Sequence, residues 1–154
     1  MAADPACVFC RILRHEAEAS LVYQDDDVTA FLDIRPVNHG HTLIVPNVHT
    51  ADLAGLDPVI GGHLFAVGQR LAAALRRSGV RCEGVNLYLA DGQAAGQEVH
   101  HLHLHVVPRF AGDGFGLRRG FQFDRPARGD LNATAGRIRD ALESGELRPH
   151  ATGG

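Results

Sequence analysis

The most informative absence in this 154-residue chain is lysine, because all 15 of its lysine-or-arginine positions are arginine. A P-loop requires a lysine that contacts the phosphates, and Schiff-base chemistry and ligase-type nucleotidyl transfer require a lysine nucleophile. The chain therefore excludes these three mechanisms. Recognition of a phosphate must instead use arginine, histidine, backbone N–H groups or a metal ion.

The chain also lacks a strong charge imbalance and a long apolar run. Its formal net charge is −3, whereas a general nucleic-acid-binding protein presents a basic face. No apolar stretch reaches membrane-spanning length, and residues 1–10 show neither region of a secretion signal. We therefore expect a cytoplasmic protein with no nucleic-acid partner and no membrane partner. A hydrophobic content of 45% is typical of one soluble domain with a real core.

Cysteine is scarce, with three residues in the chain, but Cys7 and Cys10 form a C-x-x-C pair. In a reducing compartment such a pair is more often a metal clip or a redox motif than a structural disulfide. A thioredoxin-like motif follows a strand and opens a long helix. This pair instead begins a short predicted helix over residues 7–15, which favours zinc.

The clearest pattern present is the alternation His101-Leu102-His103-Leu104-His105. It predicts a strand over Val99–Val107 with the three imidazoles on one face, about 7 Å apart. Histidine combines a nucleophilic nitrogen, metal affinity and a pKa of about 6.5, so the row favours a chemical site. Arg109 adds a permanent cation, and the glycine-bearing loop 91–97 can bring backbone N–H groups close to an anion. Together these features indicate a phosphate ligand.

Periodicity and turn residues predict an α+β fold with an antiparallel sheet. A long helix is expected to begin at the N-cap Asp57, to carry Pro58 in its first turn and to end before Gly79. His63 on this helix is predicted to be an ordinary exposed residue, and a last helix is predicted near residues 130–144. The five predicted strands are Leu21–Gln24, Val28–Asp33, His41–Pro46, Gly84–Leu89 and Val99–Val107. The acidic triplet at residues 25–27 is predicted to be a solvated turn between the first two strands.

A structural zinc ion would need two ligands besides Cys7 and Cys10, because such sites are four-coordinate. His49 lies just beyond the third predicted strand and therefore at one end of the sheet. His101 could complete a Cys2His2 site and would leave the other two histidines of the row free. Two alternatives stay open: a metal-free C-x-x-C, and one catalytic metal shared by all three histidines. Their span of about 13 Å disfavours the shared metal.

The segment 91–109 resembles the signature of the histidine triad (HIT) superfamily, His-φ-His-φ-His-φ-φ, where φ is apolar. The stretches CVFCRI, AFLDIRP and GHTLIVPNVH are similar to those of bacterial HIT proteins that carry zinc. The resemblance covers about residues 7–117, and we expect residues 1–154 to form a single HIT domain with residues 118–154 as a C-terminal extension. It implies a five-stranded antiparallel sheet with one long helix and short terminal helices. It also implies a homodimer in which two sheets pair into ten strands.

The resemblance further implies a hydrolase of phosphorus–nitrogen or phosphoanhydride bonds in a purine nucleotide such as an AMP or GMP derivative. His103 would attack the α-phosphorus, and water would then hydrolyse the nucleotidyl-histidine, which splits one hard displacement into two easier ones. His105 would hydrogen-bond the phosphate or the leaving group, and His41 would help to orient the imidazoles. The implied catalytic set is His41, His101, His103 and His105.

The same resemblance implies a binding site for the nucleotide and for zinc. Asp33 would accept hydrogen bonds from the ribose hydroxyls, and Gly96, Gln97 and Glu98 would lie at the phosphate. The apolar slot for the base would comprise Phe9, Ile12, Phe31 and Ile34, and the implied zinc ligands are Cys7, Cys10, His49 and His101.

Two positions depart from the family pattern. Ala90 stands where many relatives have Asn or Gln, and Glu98 stands where relatives have Ser or Thr. A carboxylate at position 98 would repel an anionic substrate unless it is protonated or turned away. Three interpretations therefore stay open. The chain is a hydrolase of phosphoramidates such as adenosine 5′-phosphoramidate, a dinucleoside polyphosphate (Ap4A-type) hydrolase, or a nucleotide-binding or interaction protein with vestigial catalysis.

Overall fold

The computed structural model describes residues 4–116 and 126–144. The chain divides into two compact units, residues 1–115 and 116–154, which are described separately. In chain order the elements are α1 (Val8–Leu13), β1 (Leu21–Gln24), β2 (Val28–Leu32), β3 (Thr42–Pro46), α2 (Pro58–Arg77), β4 (Gly84–Leu89), a 3-10 turn (Gln93–Ala95), β5 (Leu104–Arg109) and α3 (Arg128–Ser144).

The first unit is built on one sheet of five strands in the order β1-β2-β3-β5-β4. Every neighbouring pair is antiparallel, which confirms the predicted α+β fold with a five-stranded antiparallel sheet. β5 lies between β3 and β4, and β4 forms one edge of the sheet. The pairing of two such sheets in a dimer stays a prediction.

Helix α2 begins and ends where its capping residues predict. The Asp57 carboxylate accepts a hydrogen bond from the Val59 N–H at 2.8 Å, and Pro58 occupies the first turn. The helix packs closely on the sheet at Gly68, where an added Cβ would lie 2.8 Å from Leu87 Cδ2. Because that separation is too short for a real contact, a larger residue at position 68 would require the Leu87 side chain to move.

Side chains of β3 alternate between two apolar clusters on opposite faces of the sheet. Ile44 belongs to the cluster under α2, and Leu43 and Val45 belong to the cluster under α1. His105 lies directly opposite Leu43 in the β3–β5 register. It therefore projects from the α1 face, which places the candidate site on that side of the sheet. The α1 cluster comprises Cys7, Phe9, Cys10, Ile12, Phe31, Leu43 and Val45.

The prediction of a strand over Val99–Val107 is wrong at both ends, because β5 runs over Leu104–Arg109. The residues before β5 make backbone hydrogen bonds outside the sheet. The Leu102 N–H donates to the Thr50 carbonyl at 2.7 Å, and the His101 N–H donates to the Val99 carbonyl at 2.8 Å. The three imidazoles nevertheless share the α1 face of the sheet, because His101 packs against Cys7 and Cys10 and the His103 ring lies 4.8 Å from that of His105. Of the three histidines, only His105 lies within the strand.

His63 was predicted to be an ordinary exposed residue, and the structure contradicts this. Its Nε2 lies 2.6 Å from Asp25 Oδ2, with both side chains partly buried. The Asp25 carboxylate also accepts hydrogen bonds from the Tyr23 hydroxyl and from the backbone N–H groups of Asp27 and Val28. Burial alone would raise the pKa of Asp25, but these hydrogen bonds outweigh it and lower the pKa well below its usual range. The acidic turn is thus not simply solvated, since it ties α2 to the first hairpin.

The second unit contributes α3, at the position where the sequence predicts a last helix. Within it, Arg137 Nη2 donates to Thr134 Oγ1 at 3.0 Å. Residues 117–125 and 145–154 lie outside the described residues, so the single-domain organisation and the extent of the extension stay predictions. None of the described helices combines the length and the apolar character that crossing a membrane requires.

Candidate active site and metal centre

Four metal-binding atoms converge beside α1. Cys10 Sγ lies 3.3 Å from His49 Nδ1 and 3.6 Å from His101 Nδ1, and Cys7 Sγ lies 3.5 Å from His101 Nδ1. All four donor atoms lie within 4.8 Å of one another. In a tetrahedral site with bonds of about 2.3 Å to sulfur and about 2.05 Å to nitrogen, sulfur and nitrogen ligands are about 3.5 Å apart. The observed spacing fits zinc, which confirms the predicted donor set as one that can hold this ion.

Local hydrogen bonds orient two of these ligands, Cys7 and His101. Cys7 caps α1, and its Sγ accepts from the Cys10 N–H at 3.5 Å, which brings both sulfurs to the start of the helix. His101 donates from Nε2 to the Pro46 carbonyl at 2.8 Å, so that Nδ1 is left unprotonated toward the cysteines. Burial lowers the pKa of His101 to about 4, which keeps the ring in the neutral form that binds metals.

The Cys10 thiol shows why a cation suits this position. Burial raises the pKa of this thiol, although metal ligation requires the thiolate. A bound cation would reverse that shift. The geometry does not support one metal shared by the three histidines of the row, because His101 Nδ1 faces the cysteines rather than the other two rings.

His103 is a nearly buried imidazole with one nitrogen held by the backbone. Its Nδ1 donates to the carbonyl oxygen of His101 at 2.7 Å. A neutral imidazole has one N–H, so this bond leaves the lone pair on Nε2. The ring of Phe9 packs edge-on against His103, with centroids 5.2 Å apart. His103 is therefore oriented and desolvated as a nitrogen nucleophile requires.

A second chain of hydrogen bonds sets the tautomer of His105. The Val37 N–H donates to His41 Nδ1 at 3.1 Å, so neutral His41 carries its proton on Nε2. That Nε2 lies 2.9 Å from His105 Nδ1. His105 must then accept at Nδ1 and carry its own proton on Nε2. Donor atoms of Asp33, His41 and His105 also lie within 4.8 Å of one another, but this relay already accounts for their proximity.

Burial keeps both rings of the relay neutral. It lowers the pKa of His41, although the Asp33 carboxylate, 3.7 Å from His41 Nδ1, acts in the opposite direction. It lowers the pKa of His105 to about 3, and the charges that His103 and His41 would carry act in the same direction. Tyr88 covers the His105 ring, with centroids 4.1 Å apart and planes inclined by 11°. At neutral pH His105 is thus a hydrogen-bond donor and not a cation.

Comparison with known proteins identifies the family. The model of the HIT domain matches residues 14–112. The chain belongs to the HIT family. It is 44% identical over 115 residues to an uncharacterized HIT-like protein of Borreliella burgdorferi, which covers 74% of this chain and 83% of that protein.

Two further relatives bear on metal binding and on enzymatic activity. The crystal structure of a Zn-bound histidine triad family protein from Mycobacterium smegmatis has a TM-score of 0.70 and 42% identity, and covers 88% of this chain and 97% of that chain. Adenylylsulfatase HINT3 of Arabidopsis thaliana is 34% identical over 103 residues, which cover 67% of this chain and 52% of that protein.

Three of the four residues expected to form the base slot of this HIT domain lie together. Phe9, Ile12 and Phe31 are buried in the α1 cluster, and Phe9 touches both Phe31 and His103. Ile34 lies outside this buried cluster and is 91% exposed. Asp33 lies beside the relay, and its Oδ1 accepts from the Arg35 N–H at 2.8 Å. Contacts of these residues with a base and a ribose stay predictions.

The glycine loop of the HIT signature is held by Gln97. Gly92 and Gly96 adopt φ values of 90° and 89°, which side chains rarely allow. The buried Gln97 side chain accepts from the Gly92 N–H at 2.8 Å and donates to the carbonyls of Ala51 and Val99 at 2.8 and 3.1 Å. Its amide is therefore occupied in shaping the loop, and a phosphate contact from Gly96, Gln97 or Glu98 stays a prediction.

Sequence reasoning missed three residues of the site. Val37 sets the tautomer of His41, and Tyr88 covers His105, its partner in the β4–β5 register. Arg35 forms an ion pair with Glu98, with Nη2 and Oε2 2.7 Å apart. The strand register could have identified Tyr88, because directly opposed residues share a face of the sheet. Val37 and Arg35 lie in a loop and carry no comparable signal.

Proposed function

We propose that this HIT chain is a nucleotide-binding hydrolase that releases a purine nucleoside 5′-monophosphate from a small leaving group, with adenosine 5′-phosphoramidate as the model substrate. The observation that carries the proposal is the 2.7 Å hydrogen bond from His103 Nδ1 to the His101 carbonyl. It leaves the lone pair on Nε2 of a buried ring free to attack phosphorus. Membership of the HIT family and the adenylylsulfatase relative support a hydrolase acting on a nucleotide.

In the first step, His103 Nε2 attacks the α-phosphorus and forms a P–N bond. The bond from phosphorus to the substrate nitrogen breaks, and the amine, already protonated on that nitrogen, leaves with the bonding electron pair. His103 becomes cationic, and the His101 carbonyl at Nδ1 stabilises that charge. In the second step, water attacks phosphorus and the bonding pair returns to Nε2. The products are the monophosphate, the amine and one proton released to solvent.

His105 has a supporting part in this scheme. Because its pKa is lowered to about 3, it carries no second proton to give away at neutral pH. We therefore assign its Nε2–H to hydrogen-bonding the phosphate oxygens, which carry negative charge in the transition state, or the leaving group, whose nitrogen gains the bonding electron pair. This assignment is narrower than general acid catalysis, and it matches the tautomer that His41 imposes.

We also propose that Cys7, Cys10, His49 and His101 hold a structural zinc ion. Zinc would supply folding free energy by tying α1 to the segment that precedes β5. The Zn-bound relative from Mycobacterium smegmatis supports this assignment. For the quaternary structure we propose a homodimer in which two sheets pair into ten strands, and light scattering on the purified protein tests its mass.

The function is tested by AMP release from adenosine 5′-phosphoramidate, measured for the wild type and His103→Ala at equal folded concentration. We expect turnover by the wild type and a loss of several orders of magnitude in the variant. His100→Ala, an exposed histidine in the same segment, is the matched control and should keep wild-type turnover. Acid quenching with radiolabelled substrate should trap label on the wild type and none on His103→Ala.

The alternatives have distinct outcomes in the same assay. Diadenosine tetraphosphate and adenylyl sulfate are included as competing substrates. Faster cleavage of the tetraphosphate would reassign the chain to polyphosphate hydrolysis. AMP binding without turnover of any substrate would leave a nucleotide-binding protein and overturn the proposal.

A further inference from the structure

Glu98 follows the glycine loop directly after the buried Gln97. Its neighbour Gln97 is fixed by hydrogen bonds to three backbone groups, so the backbone at position 98 cannot shift freely. The Glu98 side chain is exposed, with 73% of its surface accessible. Its carboxylate is therefore available both to a partner and to a ligand.

That partner is Arg35, in the loop that follows β2. The Arg35 backbone N–H is held by Asp33 Oδ1 at 2.8 Å, next to the His41 relay. The Arg35 guanidinium reaches Glu98 at 2.7 Å, across 63 residues of sequence. An exposed ion pair contributes little to stability. Because both side chains are more than 70% exposed, both charges of the pair remain accessible to a ligand.

A chain of short contacts links the pair to His105, because Asp33 accepts from the Arg35 N–H at 2.8 Å and lies 3.7 Å from His41 Nδ1, and His41 Nε2 lies 2.9 Å from His105 Nδ1. Tyr88 stacks on His105 at 4.1 Å. Burial raises the pKa of the Tyr88 hydroxyl, and the negative charges of Asp33 and Glu98 raise it further. Both carboxylates therefore act on the ring that covers His105. In the proposed function the leaving group or the phosphate meets the His105 Nε2–H, and the Arg35–Glu98 pair is the exposed charge pair linked to that residue.

We propose that Glu98 selects against anionic leaving groups by holding Arg35, so that the site takes nucleoside 5′-phosphoramidates whose amine leaves neutral or cationic. A polyphosphate leaving group would need Arg35 as its counter-ion. Taking Arg35 would leave the Glu98 carboxylate unpaired beside a second anion, where like charges repel. An amine leaving group imposes neither penalty. The inference rests on the proposed function and adds the charge of the leaving group that the site accepts.

The test is the ratio of kcat/KM for adenosine 5′-phosphoramidate to that for diadenosine tetraphosphate, measured for the wild type, Glu98→Gln, Arg35→Gln and the double variant. Glu98→Gln frees Arg35 for phosphate, so we expect the ratio to fall about tenfold. Arg35→Gln leaves the carboxylate unpaired, so the ratio should rise. The ratio for the double variant should lie between those of the two single variants. Glu16→Gln removes the same charge from the exposed Arg14–Glu16 pair and should leave the ratio within twofold of the wild type.

Failure of the inference differs from failure of the function. If the wild type cleaves the phosphoramidate through His103 but Glu98→Gln behaves like Glu16→Gln, the selection by Glu98 is overturned and the hydrolase is not. If the wild type cleaves both substrates through His103 but prefers the tetraphosphate, the selection by Glu98 and the assignment to phosphoramidates are both overturned, and only hydrolysis through His103 stands. If the wild type cleaves neither substrate, the proposed function itself is overturned and the inference falls with it.

Discussion

His41 Nε2 lies 2.9 Å from His105 Nδ1, and this contact decides which nitrogen of His105 carries its proton. The tautomer of His41 is fixed in turn by the Val37 N–H, which donates to His41 Nδ1 at 3.1 Å, so that Nδ1 must accept. A loop backbone group thereby determines that His105 presents an N–H to the ligand. The Asp33 carboxylate, 3.7 Å from the same Nδ1, cannot compete for a hydrogen bond there unless His41 gives up the bond from Val37.

Replacing His41 should impair turnover through His105 rather than through substrate binding. His41→Ala removes the donor to His105 Nδ1, so both tautomers of His105 become populated. We expect kcat to fall by roughly 10²-fold, at the low end for loss of a positioned proton-bearing group, with a smaller change in KM. His41→Gln can accept from Val37 and donate to His105, and should recover at least tenfold over His41→Ala. Nitrogen chemical shifts of His105 report the tautomer directly, and an unchanged Nε2–H form in His41→Ala would contradict the relay.

The buried histidines should make the protein acid-sensitive. Burial lowers the pKa of His105 to about 3 and lowers that of His41, whereas an unfolded histidine titrates near about 6.5. Between these values the unfolded state binds more protons, so stability is complete above pH of about 6.5 and falls as the pH drops below it. The slope should approach about 1.4 kcal/mol per pH unit for each histidine. Urea unfolding of the wild type and His105→Asn across this pH range measures the slope. The free energy of unfolding should depend less steeply on pH in the variant. Parallel profiles would contradict the assignment.

Much of the fold follows from local signals in the sequence. Helix α2 is predicted by Asp57 as cap, Pro58 in the first turn and apolar residues at helical spacing, all of which act within a few residues. The zinc donor set could also be inferred, because the chemistry of Cys7 and Cys10 demands two further ligands. Both inferences depend on residue types whose roles do not require knowledge of distant partners.

The remainder depends on contacts between distant segments. The alternation at residues 101–105 is typical of a strand. However, the Leu102 N–H donates to the Thr50 carbonyl, and β5 begins only at Leu104. His63 and Asp25 are 38 residues apart, so periodicity within α2 gives no sign of their pairing. No local pattern encodes such bonds, because they form only once the sheet and helix are assembled.

Gln97 should prove to be a structural support of the glycine loop. Gln97→Ala leaves the Gly92 N–H and two carbonyls without their partner, which we expect to cost about 2 kcal/mol of unfolding free energy. The loosened loop should also raise KM for the nucleotide substrate. Gln93→Ala, an exposed glutamine of the same loop, is the control and should change stability by less than about 0.5 kcal/mol. Equal effects of the two variants on denaturation and KM would refute this role.

The Asp25 carboxylate should contribute more to stability than any of its individual partners. It accepts from Tyr23, His63 and two backbone N–H groups, so Asp25→Ala leaves several donors unpaired at once. We expect a loss of roughly 2–3 kcal/mol for Asp25→Ala and about 1 kcal/mol for His63→Ala. The neighbouring exposed Asp26→Ala should cost less than about 0.5 kcal/mol. Chemical denaturation of the three variants gives the loss of unfolding free energy for each. A loss for Asp26→Ala as large as that for Asp25→Ala would show that the effect comes from net charge and not from the hydrogen bonds of Asp25.

Zinc should connect folding to the catalytic geometry through His101. The ring of this residue is a metal ligand, and its carbonyl holds His103 Nδ1 at 2.7 Å. We expect about one zinc per chain by elemental analysis, and none in Cys7→Ser with Cys10→Ser. Loss of the metal should lower Tm by roughly 10 °C or more, since structural zinc contributes several kcal/mol and each kcal/mol is worth about 2–4 °C at this size. Turnover should fall as well, because the backbone that orients His103 loses its anchor. Cys82→Ser, which alters a cysteine outside the donor set, should keep both the zinc and the Tm; an unchanged Tm in the Cys7, Cys10 double variant would remove zinc from the account of stability.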